Sequence, residues 1–168
     1  MDRGVSFAVG EYYHLYNRGN NKQPIFLSKN DYQRFQRLLY LCNSTQPVAM
    51  KDIPAEKIFL FERNKTLVDI GAYCIMPNHF HLLVKEKLKR GISMFIQKLA
   101  TAYSMYFNKR RERTGKLFEG VFRSAHIDDD IHPRHLYAYI HLNPLGRVNK
   151  QWKEKNPTAD KEIKKGHT

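Results

Sequence analysis

The sequence predicts an α+β domain in which one β-sheet carries helices on one face. Two observations predict this class. Short runs rich in aromatic and β-branched residues alternate with polar ones, whereas two longer segments repeat apolar residues at helical spacing. The resulting order of elements is β-α-β-β-α-β, followed by a shorter helix. A chain of 168 residues is expected to form one domain, here over residues 1–148, with a basic tail over residues 149–168.

The first half of the chain supplies the first strand and the first helix. Glu11–Asn17 alternates around aromatic residues, which predicts a strand, and turn-forming residues follow it. Ser28 can cap a helix, with Asp31 three residues later as the second part of a capping box. The predicted core-facing stripe of this helix consists of Tyr32, Phe35, Leu38, Leu39 and Cys42. Residues 43–66 carry no regular pattern and no functional prediction.

A β-hairpin, a long helix and a further strand follow. Leu67–Met76 and His79–Lys85 are β-rich runs joined by a Pro-Asn turn. Apolar residues at helical spacing predict an amphipathic helix from Ile92 to about residue 109. Leu117–Ile127 is predicted as the fourth strand, and the short helix after it ends before Pro144. This order is typical of a ferredoxin-like fold, to which the last helix is an addition.

The charge of the chain points to a polyanionic partner. The net charge is +13, from 29 Lys and Arg against 16 Asp and Glu, which favours nucleic acid first and an anionic membrane surface second. No apolar run approaches the roughly 20 residues that cross a bilayer, so no membrane insertion is expected. Cys42 and Cys74 lie in apolar patterns and are expected to be buried free thiols, which fits a reducing cytoplasm.

Two histidines on the second strand of the hairpin are candidate metal ligands. In His79-Phe80-His81, residues i and i+2 point to one face of a strand, so the two imidazoles converge. Paired imidazoles can bind a metal ion, although two surface or core histidines would give the same pattern. On the last predicted helix, Tyr139 and Asn143 share one face. A phenol one turn from a side-chain oxygen, facing paired histidines, is a geometry suited to phosphoryl transfer.

Four sequence blocks carry a resemblance to a known family. They are HLYNRGN (14–20), CIMPNHFHLLV (74–84), TGKLFEGVFRS (114–124) and YIHLNP (139–144). With these blocks the chain resembles the single-tyrosine HUH transposases, and within them the REP-associated tyrosine transposases. The resemblance implies a ferredoxin-like fold with an added catalytic helix, and an enzyme that cuts and rejoins single-stranded DNA beside a hairpin through a 5′-phosphotyrosine.

The same resemblance implies roles for individual residues. His79 and His81 match the two metal-binding histidines. Tyr139 matches the nucleophile and Asn143 the third metal ligand, while Tyr137 is the second candidate for the nucleophile. The family implies Mg²⁺ or Mn²⁺, although the softness of the ligands alone would also allow Zn²⁺. Relatives include dimers and monomers, so both a monomer and a homodimer remain open.

Other functions also remain open from the sequence. RNA-recognition domains are likewise built on a ferredoxin-like sheet with aromatic residues, so a catalytically weak or inactive hairpin-binding module fits as well. A metal-dependent hydrolase that uses water would cut DNA without a covalent adduct. The features that favour a transposase are His79, His81 and Tyr139, which a pure binding module does not need. Phosphate contacts are expected from Arg18, Lys116 and Arg123.

Overall fold

One antiparallel sheet and two α-helices make up most of the part of the chain that the structure describes. The computed structural model describes residues 6–47 and 53–127. Its main elements are β1 (Tyr12–Arg18), α1 (Lys29–Leu41), β2 (Val68–Met76), β3 (His79–Glu86), α2 (Gly91–Arg110) and β4 (Arg123–Ile127). The strands lie in the order β2-β3-β1-β4, and each neighbouring pair is antiparallel. The predicted α+β class and ferredoxin-like βαββαβ order are therefore confirmed.

Two predictions from the sequence concern residues that the structure does not describe. The last predicted helix, with Tyr137, Tyr139 and Asn143, lies outside the described residues, as does the predicted domain boundary at residue 148.

Cys42 and Cys74 are buried and form no disulfide, as predicted. Within the two described ranges, no helix is both long enough and apolar enough to cross a membrane.

Both helices pack on the same face of the sheet. Phe35 of α1 contacts Phe80 of β3 with ring centroids 5.0 Å apart. Tyr103 of α2 is fully buried, and its hydroxyl donates a hydrogen bond of 2.6 Å to the carbonyl oxygen of Ile25. The residues of β1 and β3 in this core are Tyr13, Leu15, Phe80, Leu82 and Val84. Because side chains alternate along a strand, the residues that alternate with these, among them His14, His79 and His81, lie on the opposite face.

The entry into α2 is fixed by a buried carboxylate and a close backbone approach. Glu86, at the end of β3, is 1% exposed and accepts hydrogen bonds from the backbone N–H groups of Gly91 (3.2 Å) and Ile92 (2.8 Å). Donors at a helix start need such partners because they have none within the helix. A Cβ atom at Gly91 would lie 2.3 Å from the carbonyl oxygen of Leu67. Glycine at this position lets α2 begin directly against the start of the hairpin.

The fourth strand is shorter than the sequence predicts. The apolar run predicted a strand over Leu117–Ile127, but β4 covers only the last five residues of that range. Leu117 and Phe118 belong to the loop before β4, and their apolar side chains enter the core, where they are 3% and 7% exposed. Gly120 then adopts a φ of +111°, which is outside the extended region open to residues with a side chain. β4 begins three residues after this position.

Candidate active site

The two histidines of the predicted metal site lie on the central strand β3. This strand is hydrogen-bonded to β2 on one side and to β1 on the other. Phe80 between them is buried in the helix-facing core, so His79 and His81 lie on the other face of the sheet. Their ring centroids are 5.0 Å apart and the rings are nearly perpendicular. The structure therefore brings together the two imidazoles that the sequence placed on one face.

Each of these imidazoles has a hydrogen-bonding partner at its Nδ1 atom. Asn78 Oδ1 lies 2.6 Å from Nδ1 of His79, and the amide nitrogen of Asn78 donates to the carbonyl of Lys22 at 3.3 Å. The second bond turns the amide oxygen toward the ring. On His81, Nδ1 lies 2.9 Å from Nε2 of His14. A proton held at Nδ1 leaves the lone pair of a neutral imidazole on Nε2, the atom that would bind a metal.

Burial keeps the inner histidine neutral. His81 is 9% exposed, and this burial is the main cause that lowers its pKa, from 6.5 to about 2. The neighbouring imidazoles of His14 and His79 lower the pKa further. A neutral imidazole is the form that binds a metal ion, because the protonated ring has no lone pair to offer. His81 is therefore in its ligand form across the physiological pH range.

Of the metal ligands and the nucleophile expected from the sequence, the structure describes only the two histidines. Among the described residues, no group of three or more His, Cys, Asp or Glu side chains could hold a metal ion by itself. The third ligand expected from the sequence, Asn143, and the expected nucleophile Tyr139 lie outside the described residues. Two imidazoles held at Nδ1 are a donor set that fits two positions of a divalent metal centre.

His14 and Asn78 are the residues of this site that sequence reasoning missed. Asn78 was assigned only to the turn before β3, whereas its side chain holds His79. His14 was part of a predicted strand without a role of its own. A signal for His14 existed, since alternation along Glu11–Asn17 separates it from the core residues Tyr13 and Leu15. The register of β1 against β3 was the missing information.

Two of the candidate phosphate-binding residues lie on the same face of the sheet as the histidines. Arg18 is the cross-strand neighbour of His79, and Arg123 is paired with Tyr16, which is itself paired with His81. Directly paired residues point to the same face of a sheet, so both arginines lie on the face that carries the histidines. Lys116 is exposed in the loop before β4. The geometry thus places positive charge beside the paired imidazoles.

Arg18 is held by an ion pair in this structure. Its guanidinium contacts both carboxylate oxygens of Glu119, with Nη2 at 3.0 Å from Oε1. The two side chains are 42% and 37% exposed. The hydrogen bonding between them raises the pKa of Arg18 and lowers that of Glu119. A bidentate carboxylate occupies the same donors that would contact a phosphate.

Comparison with known proteins identifies the family. The sheet order and the histidine pair on β3 agree with the resemblance to the HUH transposases found in the sequence. A family model described as "Transposase IS200 like" matches residues 10–143, which is most of the chain. The chain belongs to the IS200-like transposase family, and its function is DNA processing related to transposition. No protein with curated function matches the chain.

Two solved structures resemble the chain. The first is a REP-associated tyrosine transposase bound to a REP hairpin, with a TM-score of 0.54 and 13% identity over 88% of this chain and 74% of that one. At this identity the match shows the shared fold. The second, from Deinococcus radiodurans and also described as a transposase candidate, has a TM-score of 0.46 and 15% identity over 84% of this chain and 96% of that one.

Proposed function

We propose that this protein cuts and rejoins single-stranded DNA next to hairpin sequences, through a covalent 5′-phosphotyrosine at Tyr139. The observation that carries the proposal is the histidine pair on β3. His79 and His81 converge on one face, each is held at Nδ1, and Arg18 and Arg123 lie on the same face. Family membership adds transposition as the context of the reaction.

The residues divide the chemistry between them. His79 and His81, through Nε2, together with Asn143 would hold a Mg²⁺ or Mn²⁺ ion, which when bound polarises the scissile phosphate as a Lewis acid. Tyr139 loses its phenolic proton and attacks phosphorus, while the bond to the 3′ oxygen breaks. The products are a phosphotyrosine on the 5′ side and a strand that ends in a 3′-OH after taking up a proton. Attack by a second 3′-OH reverses the step and joins two strands without ATP.

The positive charge of the chain supports a nucleic-acid substrate. The net charge of +13 favours binding to a polyanion, with an affinity that falls as salt rises. Arg18, Lys116 and Arg123 are the proposed phosphate contacts. A hairpin as the bound form is supported by the similar solved transposase, which is bound to a REP hairpin.

The test is a trapping experiment on single-stranded DNA with a hairpin, in the presence of Mn²⁺. The wild-type protein is expected to form a covalent adduct that mass spectrometry assigns to Tyr139. Tyr139→Phe should bind the hairpin but form neither adduct nor cut, whereas Tyr137→Phe, the matched control, should retain both. His79→Ala should abolish cleavage and leave hairpin binding largely intact.

The other outcomes separate the remaining functions. An adduct on Tyr137 would move the nucleophile to that residue. Cut DNA without any adduct under trapping conditions would indicate a hydrolase that uses water. Hairpin binding without adduct or cut, with every divalent metal tested, would indicate the inactive binding module.

A further inference from the structure

The chemistry proposed above assigns no role of its own to His14, whose buried contact with His81 restrains one of the two candidate ligands. His14 lies on β1, is 2% exposed, and has its Nε2 atom 2.9 Å from Nδ1 of His81. The ring planes differ by 16° and the ring centroids are 5.1 Å apart. This separation is close to the nitrogen–nitrogen distance plus the two ring radii. The rings therefore meet edge to edge in nearly one plane, which is the geometry of a linear hydrogen bond and not of face-to-face stacking.

The direction of this hydrogen bond is set by what His81 does at its other nitrogen. A neutral imidazole has one N–H donor and one lone pair. If Nε2 of His81 offers its lone pair to a metal, the proton must be on Nδ1, and His14 must accept it through Nε2. An acceptor at this place thus selects the tautomer and the ring orientation that a ligand needs.

His79 also has a hydrogen-bonding partner at its Nδ1 atom. Because both histidines share this arrangement, chance is a poor explanation for the contact at His81. The acceptor there is Asn78 Oδ1, whose amide is turned toward the ring by its bond to Lys22. Both candidate ligands therefore have a hydrogen-bonding partner at Nδ1, from two different parts of the chain. Burying an imidazole such as His14 costs free energy unless it is hydrogen-bonded, so an apolar residue would be the simpler choice in this place.

We propose that His14 is a positioning residue of the metal centre, which accepts the Nδ1–H of His81 and so presents Nε2 of His81 to the divalent ion. This inference rests on the proposed function, because it assumes that His79 and His81 bind a metal. It assigns His14 no contact with the metal or with DNA.

The test measures metal binding by the full-length protein without DNA. The Mn²⁺ dissociation constant is obtained from the electron paramagnetic resonance signal of free Mn²⁺, and the unfolding temperature is measured without metal. His14→Phe keeps a buried ring but removes the acceptor, and its Mn²⁺ affinity should fall about 10- to 100-fold. His14→Gln supplies an amide oxygen and should restore most of the affinity.

The matched control is His126→Phe. His126 is a histidine of the neighbouring strand β4, paired at 3.1 Å with Glu11, and its replacement should leave the Mn²⁺ affinity unchanged. Should His14→Phe fail to fold, His14→Ala, which removes the acceptor without new bulk, takes its place.

Three results would overturn the inference. Wild-type Mn²⁺ affinity in His14→Phe, with only the metal-free unfolding temperature lowered, would show a purely structural hydrogen bond. Coupling of bound Mn²⁺ to three histidine nitrogens in pulsed spectra of the wild type would make His14 a ligand. No Mn²⁺ binding by the wild type would remove the metal centre altogether. Failure of the proposed cleavage is seen separately, as a missing Tyr139 adduct in a protein that still binds Mn²⁺.

Discussion

Asp31 is the buried charge that joins the two helices behind the candidate site, and its removal gives a sharp test of the packing. Its side chain is fully buried. The carboxylate accepts hydrogen bonds from the backbone N–H groups of Leu27 (3.0 Å) and Ser28 (2.9 Å), at the start of α1. From α2 and its end it receives the hydroxyl of Tyr106 and the guanidinium of Arg111, both at 3.0 Å. One side chain therefore caps one helix and binds the other.

The structure gives an estimate of the loss on Asp31→Ala. Loss of the helix cap costs about 1 kcal/mol. Removal of one partner of a buried ion pair costs about 3–5 kcal/mol, but the lower part of that range applies because Arg111 is 31% exposed and water can replace the carboxylate. The total is about 3–4 kcal/mol, which lowers the unfolding temperature by roughly 10 °C in a domain of this size. Asp31→Asn keeps an acceptor for the cap and should lose about half as much.

The assay is urea unfolding followed by circular dichroism, with Asp69→Ala as the control. Asp69 is also ion-paired, with Lys87 at 3.0 Å, but it is 59% exposed and its loss should cost less than about 1 kcal/mol. A loss for Asp31→Ala as small as that of the control would refute the reasoning. So would an Asp31→Asn variant as unstable as Asp31→Ala, because the charge and the cap would then not be separable.

The pH dependence of the Asp31 effect has a defined sign. Burial alone would raise the pKa of Asp31, but the hydrogen bonds from Leu27, Tyr106, Ser28 and Arg111 outweigh it and hold the pKa below its ordinary value. A carboxyl group whose pKa is lowered by folding stabilises the protein fully above its unfolded pKa of about 4, and this contribution is lost as the pH falls through the lower folded pKa. The difference in stability between wild type and Asp31→Ala should therefore shrink only below about pH 4.

Two further predictions concern the backbone at α2 and the ion pair beside the histidines. Gly91→Ala would place a Cβ atom 2.3 Å from the carbonyl oxygen of Leu67 and should cost about 2 kcal/mol in urea unfolding, whereas Gly71→Ala, with its nearest contact at 3.5 Å, should be tolerated. Equal losses would contradict the close approach at α2. Glu119→Gln releases Arg18 for phosphate and should tighten binding of hairpin DNA in fluorescence anisotropy, with a steeper salt dependence. Unchanged affinity and salt slope would show that Arg18 does not meet the DNA.

The order of the elements could be predicted because the signals for it are local. Hydrophobic spacing distinguishes strands from helices within a window of a few residues, and it placed both helices and the hairpin correctly. The error at the fourth strand has a physical cause of another kind. Leu117 and Phe118 have the composition of strand residues, but both are buried from within a loop. The ring of Phe118 packs edge-on against that of Phe80, with the ring centroids 5.9 Å apart. That contact joins distant parts of the chain and leaves no periodic trace.

Only the part of the candidate site that lies on a single strand could be predicted from the sequence. His79 and His81 are two residues apart, so alternation is enough to place them on one face. The contact of His81 with His14 spans 67 residues and depends on the register between β1 and β3, which no local pattern encodes. The ion pair of Arg18 with Glu119 joins residues 101 positions apart in the sequence. Arg18 was predicted to contact phosphate, but in the structure its guanidinium contacts this carboxylate.

The position of the histidines in the sheet explains how a three-residue motif can be precise enough for chemistry. A central strand is hydrogen-bonded along both sides, so β3 cannot shift relative to its neighbours without breaking both ladders. His79 and His81 are then restrained a second time, at the side chain, by Asn78 and His14. The free energy needed to order two imidazoles is supplied when the sheet folds, and it need not come from binding DNA. Substitutions on the helix-facing side of β3 that loosen this strand should therefore weaken the proposed metal binding before they unfold the domain. Phe80, buried directly between the two histidines on the opposite face, is the residue through which such loosening would act.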